Sequence, residues 1–519
     1  MARGGEGTRV DRRRALRDEQ AAALDRRIVR QSGWVAVSYG TRTALAAASM
    51  LALVRLLDPR AFGLVALATV FLAIMEHLQE SGLGAAVIQR RDGIREAAGS
   101  AVAASAVSGV AAAGLVVAAA PLAARLLHAP GLTDVLRGLA PILAIRGLAV
   151  VPAALLEREL DYRGNAQAQL AAGLAQPAVS IALAASGAGV WSLVGGQLGG
   201  TLVGTAVVWM VVPWRPDPRA ASWRMVRSLV RYGRFVGGAN IVNLLNDTLD
   251  NLTVGRLLGT RALGFYAVTW RLADMPSTVI GNSVGRVLFP VYSAFRSDRE
   301  TVRRVYVQNL QRLALLSLPV SAVLAAGAEP IVRGLLGTAW LPVVWPLRIL
   351  AVYGAVKALC APSGEVFKGM GRPQLALVFG GVHTVLVVPV LILLTSRFGL
   401  NGAASALLVV VCASGIPALA SSLRLVRASR AAVARSLAGP LACAGMVAAT
   451  LVAVSPEAAR LQPQAGLALV LVAGGAVYCA SVALLARPIV APIVASFRRP
   501  GGAAVPPDER AAAVLSARS

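Results

Sequence analysis

The chain has 519 residues, 56% of them hydrophobic and 15% charged, and its mean hydropathy is +0.66. Ordinary soluble domains carry about 25% charged residues and disordered chains are poor in apolar ones, so both classes are excluded. The net charge of +26 admits nucleic-acid binding as a class until its placement along the chain is considered.

Residues 1–31 hold nine basic residues and no apolar run, so they read as a cytoplasmic arm able to touch anionic lipid, not as a signal peptide. A membrane-crossing helix needs about 20 mostly apolar residues. Fourteen stretches meet that need: 32–54, 61–83, 98–120, 134–156, 167–187, 189–213, 232–257, 265–290, 305–328, 343–365, 375–396, 402–424, 438–455 and 467–486. Residues 214–234 form a basic linker after the sixth, and the Pro-, Gly- and Ala-rich tail 487–519 reads as disordered. With the N-terminus placed in the cytoplasm, the inside segments hold 35 Lys and Arg and the outside loops hold 8. That asymmetry follows the positive-inside rule over every loop pair and puts both termini in the cytoplasm. The charge is therefore topological, and nucleic acid is set aside as a partner. The four cysteines, Cys360, Cys412, Cys443 and Cys479, lie in apolar stretches without C-x-x-C spacing and read as small buried hydrophobes.

An internal repeat organises the spans. Residues 55–66 read RLLDPRAFGLVA and residues 256–267 read RLLGTRALGFYA, each leaving one span and entering the next. A weaker echo links the segments that begin at Gly189 and Gly399. Spans one to six thus match spans seven to twelve. Six is even, so the halves share an orientation and are related by a pseudo-twofold axis along the membrane normal. The expected fold is an all-α integral membrane protein of about 14 helices. An N-lobe spans 32–213 and a C-lobe spans 232–424, with two further helices in 438–486.

The motifs RLLDPRAFGLVALATVF (55–71), ESGLGAAVIQRRD (80–92), DNLTVGRLLGTRALGFYAVTWRLADMP (250–276) and RVLFPVYSAFRSD (286–298) carry a family resemblance. The chain resembles bacterial oligosaccharide and polysaccharide flippases of the multidrug/oligosaccharidyl-lipid/polysaccharide superfamily, in the subgroup similar to colanic-acid exporters. The resemblance covers most of residues 30–425. It implies a secondary transporter of the bacterial cytoplasmic membrane, working by alternating access. Its cargo would be an undecaprenyl-diphosphate-linked oligosaccharide, moved from the cytoplasmic to the outer leaflet. A polysaccharide polymerase and glycosyltransferases are implied as neighbours in the same pathway.

A charge at the centre of a membrane helix costs about 2.5–3.5 kcal/mol on insertion scales, so each one needs a reason. Arg42, Arg146, Arg271 and Lys357 lie well inside spans one, four, eight and ten. Arg presents paired planar donors that match phosphate oxygens, so these four are the expected diphosphate-binding cations. A structural pair of Arg271 with Asp274, three residues on, stands beside that role. In span seven, Asn240, Asn243, Asp247 and Asp250 share one helix face, which marks a cavity lining or a polar seam. Asp247 is the deeper carboxylate and the better candidate for ion coupling. Asp250 sits near the outer end, within reach of Arg256 or Arg271. In span two, Glu76 and Glu80 share a face, and paired carboxylates in low dielectric suit proton binding.

No phosphate-binding P-loop, H-E-x-x-H or G-x-S-x-G occurs, and His77, His128 and His383 are too dispersed for a metal site. The chain therefore reads as a transporter without cofactor or metal, not as an enzyme. Two alternatives remain: a cation-coupled multidrug exporter of the same fold, and a membrane glycosyltransferase or polymerase.

Overall fold

The computed structural model describes residues 40–80, 83–89, 93–159, 161–215, 222–296 and 298–485. Every regular element among them is helical. Helix α1 covers 40–56, and α2 (Pro59–Glu80), α3 (Leu83–Gln89), α4 (Ile94–Leu126), α5 (Leu132–Leu139), α6 (Pro141–Arg158), α7 (Tyr162–Ala185) and α8 (Val190–Val211) follow. Then come α9 (Trp223–Ala294), α10 (Arg299–Ala326), α11 (Ala328–Ile331), α12 (Val344–Cys360), α13 (Pro362–Gly369), α14 (Pro373–Leu425), α15 (Arg430–Arg460) and α16 (Pro463–Leu485). Among the described residues, ten helical segments are long and apolar enough to cross a membrane. The protein is thus a multi-pass membrane protein. The count of ten takes the 53-residue α14 as one segment, although α14 contains two of the stretches expected to span.

Local chemistry explains where the helices break. The expected fourth span, 134–156, divides into α5 and α6 at Ala140, because Pro141 opens α6 and lacks a backbone N–H to extend α5. The tenth, 343–365, likewise divides into α12 and α13 at Ala361, ahead of Pro362, and it is preceded by a π turn (Val332–Leu336) and a 3-10 turn (Thr338–Val343). In between, Gly337 takes a positive φ of 94°. Helix α9 breaks at Gly259 (φ 81°) and α14 at Gly399 (φ 58°), so each is two helices joined through a single glycine.

The repeat is visible in the backbone. Gly189 has φ 58° and ψ −129°, and its counterpart Gly399 has φ 58° and ψ −134°, a region that only glycine enters readily. The R-L-L corners meet each other. A methyl on Gly63 of α2 would stand 1.7 Å from the Thr260 carbonyl oxygen, and one on Gly264 would stand 1.7 Å from that of Pro59. Pro59 and Thr260 are equivalent in the repeat, so the contact is reciprocal. Asp58 caps α2 by accepting the Arg60 amide at 2.7 Å, ahead of Pro59 in the first turn. Buried Trp340 closes this junction. Its Nε1 donates to the Val54 carbonyl at 3.2 Å, and its ring meets Phe62 and Phe265 edge-on.

The chain divides into two compact units. The first comprises Met1–Leu272, Leu335–Pro346 and Thr384–Val410; the second comprises Ala273–Gly334, Leu347–His383 and Val411–Ser519. In the first, α7 lies on α8 along Gly196, Gly200 and Gly204, where added methyl groups would collide with Ser180, Gln176 and Ala172. Lipid tails are as apolar as leucine, so close van der Waals approach between small residues is what holds such a pair together. In the second, α10 packs against α15, and Tyr292, Tyr306 and Val366 form a buried cluster.

Candidate functional site

The first unit contains a cavity of about 410 Å³ bounded by α1, α6, α7 and α8. Its cations are Arg42 from α1 and Arg146 from α6, two of the four expected from the sequence. The rest of its lining is neutral: amides from Asn165, Gln169 and Gln176, hydroxyls from Ser49, Thr201 and Thr205, and apolar or small residues, namely Ala, Gly, Pro177 and Val208. No carboxylate is among the lining residues that the structure describes. The polar groups of α6, α7 and α8 are carried by helices long and apolar enough to cross a membrane, where they require an aqueous or polar surrounding.

The two arginines are held differently. Arg42 lies against α7 where Gly173 leaves room; a methyl there would stand 2.8 Å from the Arg42 Cγ. Its Nη1 donates to Gln169 Oε1 at 3.0 Å, a neutral partner that leaves the positive charge uncompensated by that bond. Arg146 forms an ion pair with Glu76 of α2, whose side chain is only 18% exposed. Glu76 therefore sits beside the cavity as the counter-charge of one of its cations. His77, its neighbour, turns its Nδ1 to the Ala73 carbonyl of its own helix at 2.9 Å.

Gln79, one turn from Glu76, was not legible as functional in the sequence because it is neutral and stands alone. It is buried and its Nε2 donates to the Leu143 carbonyl at 3.2 Å and the Ser105 carbonyl at 3.4 Å. Gly109 and Gly147 bring α4 and α6 together at that point, each too close to the partner backbone to admit a methyl. Glu76 and Gln79 thus tie α2 to α6, at Arg146 itself and at Leu143, one turn before it.

The other expected residues lie elsewhere. Lys357 of α12 pairs with Asp274 of α9 at 2.8 Å in the second unit, with the Asp274 side chain only 4% exposed. Asp274 thus takes a lysine from another helix, where the sequence offered Arg271 on its own. Arg271 is exposed on α9 and does not line the cavity. Asp250 is buried and accepts the Tyr266 hydroxyl at 2.8 Å, a partner the sequence did not flag. The side chains of Glu80, Asn240, Asn243 and Asp247 lie outside the described residues.

A family model described as polysaccharide biosynthesis protein matches residues 52–345, more than half of the chain and every helix of the cavity except α1. The chain belongs to the polysaccharide biosynthesis protein family. It is 23% identical over 386 residues to the lipopolysaccharide biosynthesis protein WzxC of Escherichia coli (strain K12), covering 72% of this chain and 76% of that one. Its fold is similar to that of the lipid II flippase MurJ in an inward closed conformation. The TM-score there is 0.69 at 12% identity, covering 87% of this chain and 99% of the flippase. It is also similar to an inward-facing multidrug resistance MATE transporter of the MOP superfamily, with a TM-score of 0.58 at 18% identity, covering 75% and 96%.

Proposed function

We propose that this member of the polysaccharide biosynthesis family is a flippase for an undecaprenyl-diphosphate-linked oligosaccharide. It carries the lipid-linked sugar from the cytoplasmic to the outer leaflet of the bacterial cytoplasmic membrane by alternating access between two six-helix lobes. The observation that carries this reading is the cavity with Arg42 and Arg146 and no carboxylate among its described lining residues. A diphosphate must lose water to enter a membrane protein, and guanidinium groups offset that loss through paired, charge-assisted hydrogen bonds. Arg42 is bonded to a neutral amide and meets the phosphate first. Arg146 then exchanges Glu76 for phosphate, and the released Glu76 carboxylate takes up a cation or proton. That exchange couples substrate to ion. Lys357, paired with Asp274, acts as a structural cation in this scheme.

The sister reading, a multidrug exporter of the same fold, calls for a carboxylate facing a cationic drug, whereas the carboxylate beside this cavity, Glu76, is held by Arg146. A membrane polymerase calls for a sizeable catalytic loop outside the membrane, and the expected outside loops are each about fifteen residues or fewer. The test is complementation of a strain lacking its own polysaccharide exporter, at matched membrane levels. Wild type restores surface polysaccharide and Arg42→Ala reduces it at least about tenfold, the loss of one charge-assisted bond pair. Restoration by Arg42→Ala at wild-type level sinks the cavity assignment. Restored drug resistance without polysaccharide supports the exporter instead.

A further inference from the structure

We propose that the end of the cavity formed by Gln176, Thr201 and Ser49 is a carbohydrate subsite, separate from the cationic end that holds the diphosphate. The inference rests on the flippase reading and adds the part of the ligand that the arginines do not address.

The helix register separates the two ends. Arg42 lies beside Gly173 and its guanidinium reaches back along α7 to Gln169, so the charge sits at the Gln169 level. Ser49 and Gln176 each lie seven residues further along their own helix, roughly 10 Å away at 1.5 Å per residue. Helix α8 confirms the second level. A methyl on Gly200 would stand 2.7 Å from Gln176 Cβ, which brings Thr201, the next residue, to the Gln176 end. The same test on Gly204 meets Ala172, closer to Gln169. Trp209, one turn beyond Thr205, donates to the Leu148 carbonyl of α6, two residues from Arg146. Arg42, Arg146 and Gln169 therefore occupy one end, and Ser49, Gln176 and Thr201 the other.

The chemistry of the second end is uncharged and two-sided. An amide offers both a carbonyl acceptor and N–H donors, and a hydroxyl does both through one oxygen. That mixture matches a ring bearing several hydroxyls, each donor and acceptor at once, and it supplies no charge to neutralise an anion. Gln176 is exposed in the cavity. The Thr201 hydroxyl donates to the Gln197 carbonyl at 2.8 Å, which leaves its oxygen free to accept. Between the ends the lining is small, with Ala172 beside Gly173, over which the Arg42 stem lies.

The test is binding to purified full-length protein of two probes: a farnesyl diphosphate, and the same diphosphate bearing one hexose, with glucose, galactose and N-acetylglucosamine titrated separately. Wild type binds at least one glycosylated probe roughly fivefold or more tightly than the bare diphosphate, the effect of one net neutral hydrogen bond. Gln176→Leu combined with Thr201→Val abolishes that increment and leaves affinity for the bare diphosphate unchanged. Gln176→Asn, which keeps the amide but shortens its reach, provides a milder variant and weakens the increment. Arg42→Ala weakens both probes together. If wild type binds the bare diphosphate and no hexose adds affinity, the subsite is refuted and the flippase reading stands. Loss of both probes in folded Gln176 and Thr201 variants also refutes the subsite. If wild type binds neither probe, the cationic cavity itself has been misread.

Discussion

Asp274 is a carboxylate almost without solvent, and Lys357 from α12 is the group that neutralises it. Removing one partner of a buried pair leaves an uncompensated charge, at a cost of about 3–5 kcal/mol. Lys357→Ala should therefore lower the thermal unfolding midpoint in detergent, while the double change Lys357→Leu with Asp274→Leu recovers most of it. A single variant that melts like wild type would contradict the structural role given to this lysine. At the membrane surface, Asp298 caps α10. The Thr301 hydroxyl and amide, then the Glu300 amide, hydrogen-bond its carboxylate and hold it below the ordinary value of 3.8. A depressed carboxylate contributes stability that is fully present above the unfolded value and lost as pH falls through the folded one. Asp298→Asn should consequently alter melting at neutral pH and make no difference at strongly acidic pH. Both residues were visible in the sequence as charges, but their partners were not. The Lys357–Asp274 pair joins positions 83 residues apart, and no helical spacing encodes that.

Between elements, glycine decides how near two helices come. Gly63 and Gly264 each place a bare Cα against the other corner's backbone. Gly264→Ala forces the R-L-L corners apart, and overpacking of this kind costs typically 1–3 kcal/mol. We expect a lower melting midpoint and reduced complementation, whereas Gly381→Ala, where a methyl meets nothing within 4 Å, leaves both unchanged. Equal behaviour of the two variants would mean that the reciprocal contact is dispensable. Here the sequence was informative, because the repeated R-L-L-x-x-R-A-x-G pattern marked both corners before their contact was known. Trp340 was not marked, since a single tryptophan outside the repeat carries no periodic signal. It reaches Phe62 and Phe265 only because segment 338–343 folds back over the junction.

At the scale of the molecule, the distribution of arginine predicts the sidedness. In a variant with Cys360, Cys412, Cys443 and Cys479 replaced by alanine, a cysteine at Ser186 should react with an impermeant maleimide in intact cells. One at Ser429 should react only after the cells are opened. Labelling of Ser429 in intact cells would invert the topology. Ser186 ends α7 and Ser429 precedes α15, so both lie at helix ends.

Fold class was written locally, and for that reason it was legible. Apolar run length is a property of consecutive residues, arginine placement is a property of each loop, and the repeat is a property of two strings. Glycine-dependent breaks at Gly189 and Gly399 belong to the same class, because only a residue without Cβ adopts those angles. The cavity was not local. Arg42 and Arg146 were singled out by the cost of burying charge, but that cost says nothing about which charges share a space. Whether an arginine faces an amide, as Arg42 faces Gln169, or a carboxylate, as Arg146 faces Glu76, depends on how α1, α2, α6 and α7 pack. In a membrane that packing is set by close contact of small residues and by hydrogen bonds across helices, not by segregation of apolar from polar residues. Nearly every residue of a span is apolar, so hydropathy shows that a helix crosses the membrane while its neighbours, and hence the contents of the cavity, follow from the assembled helices.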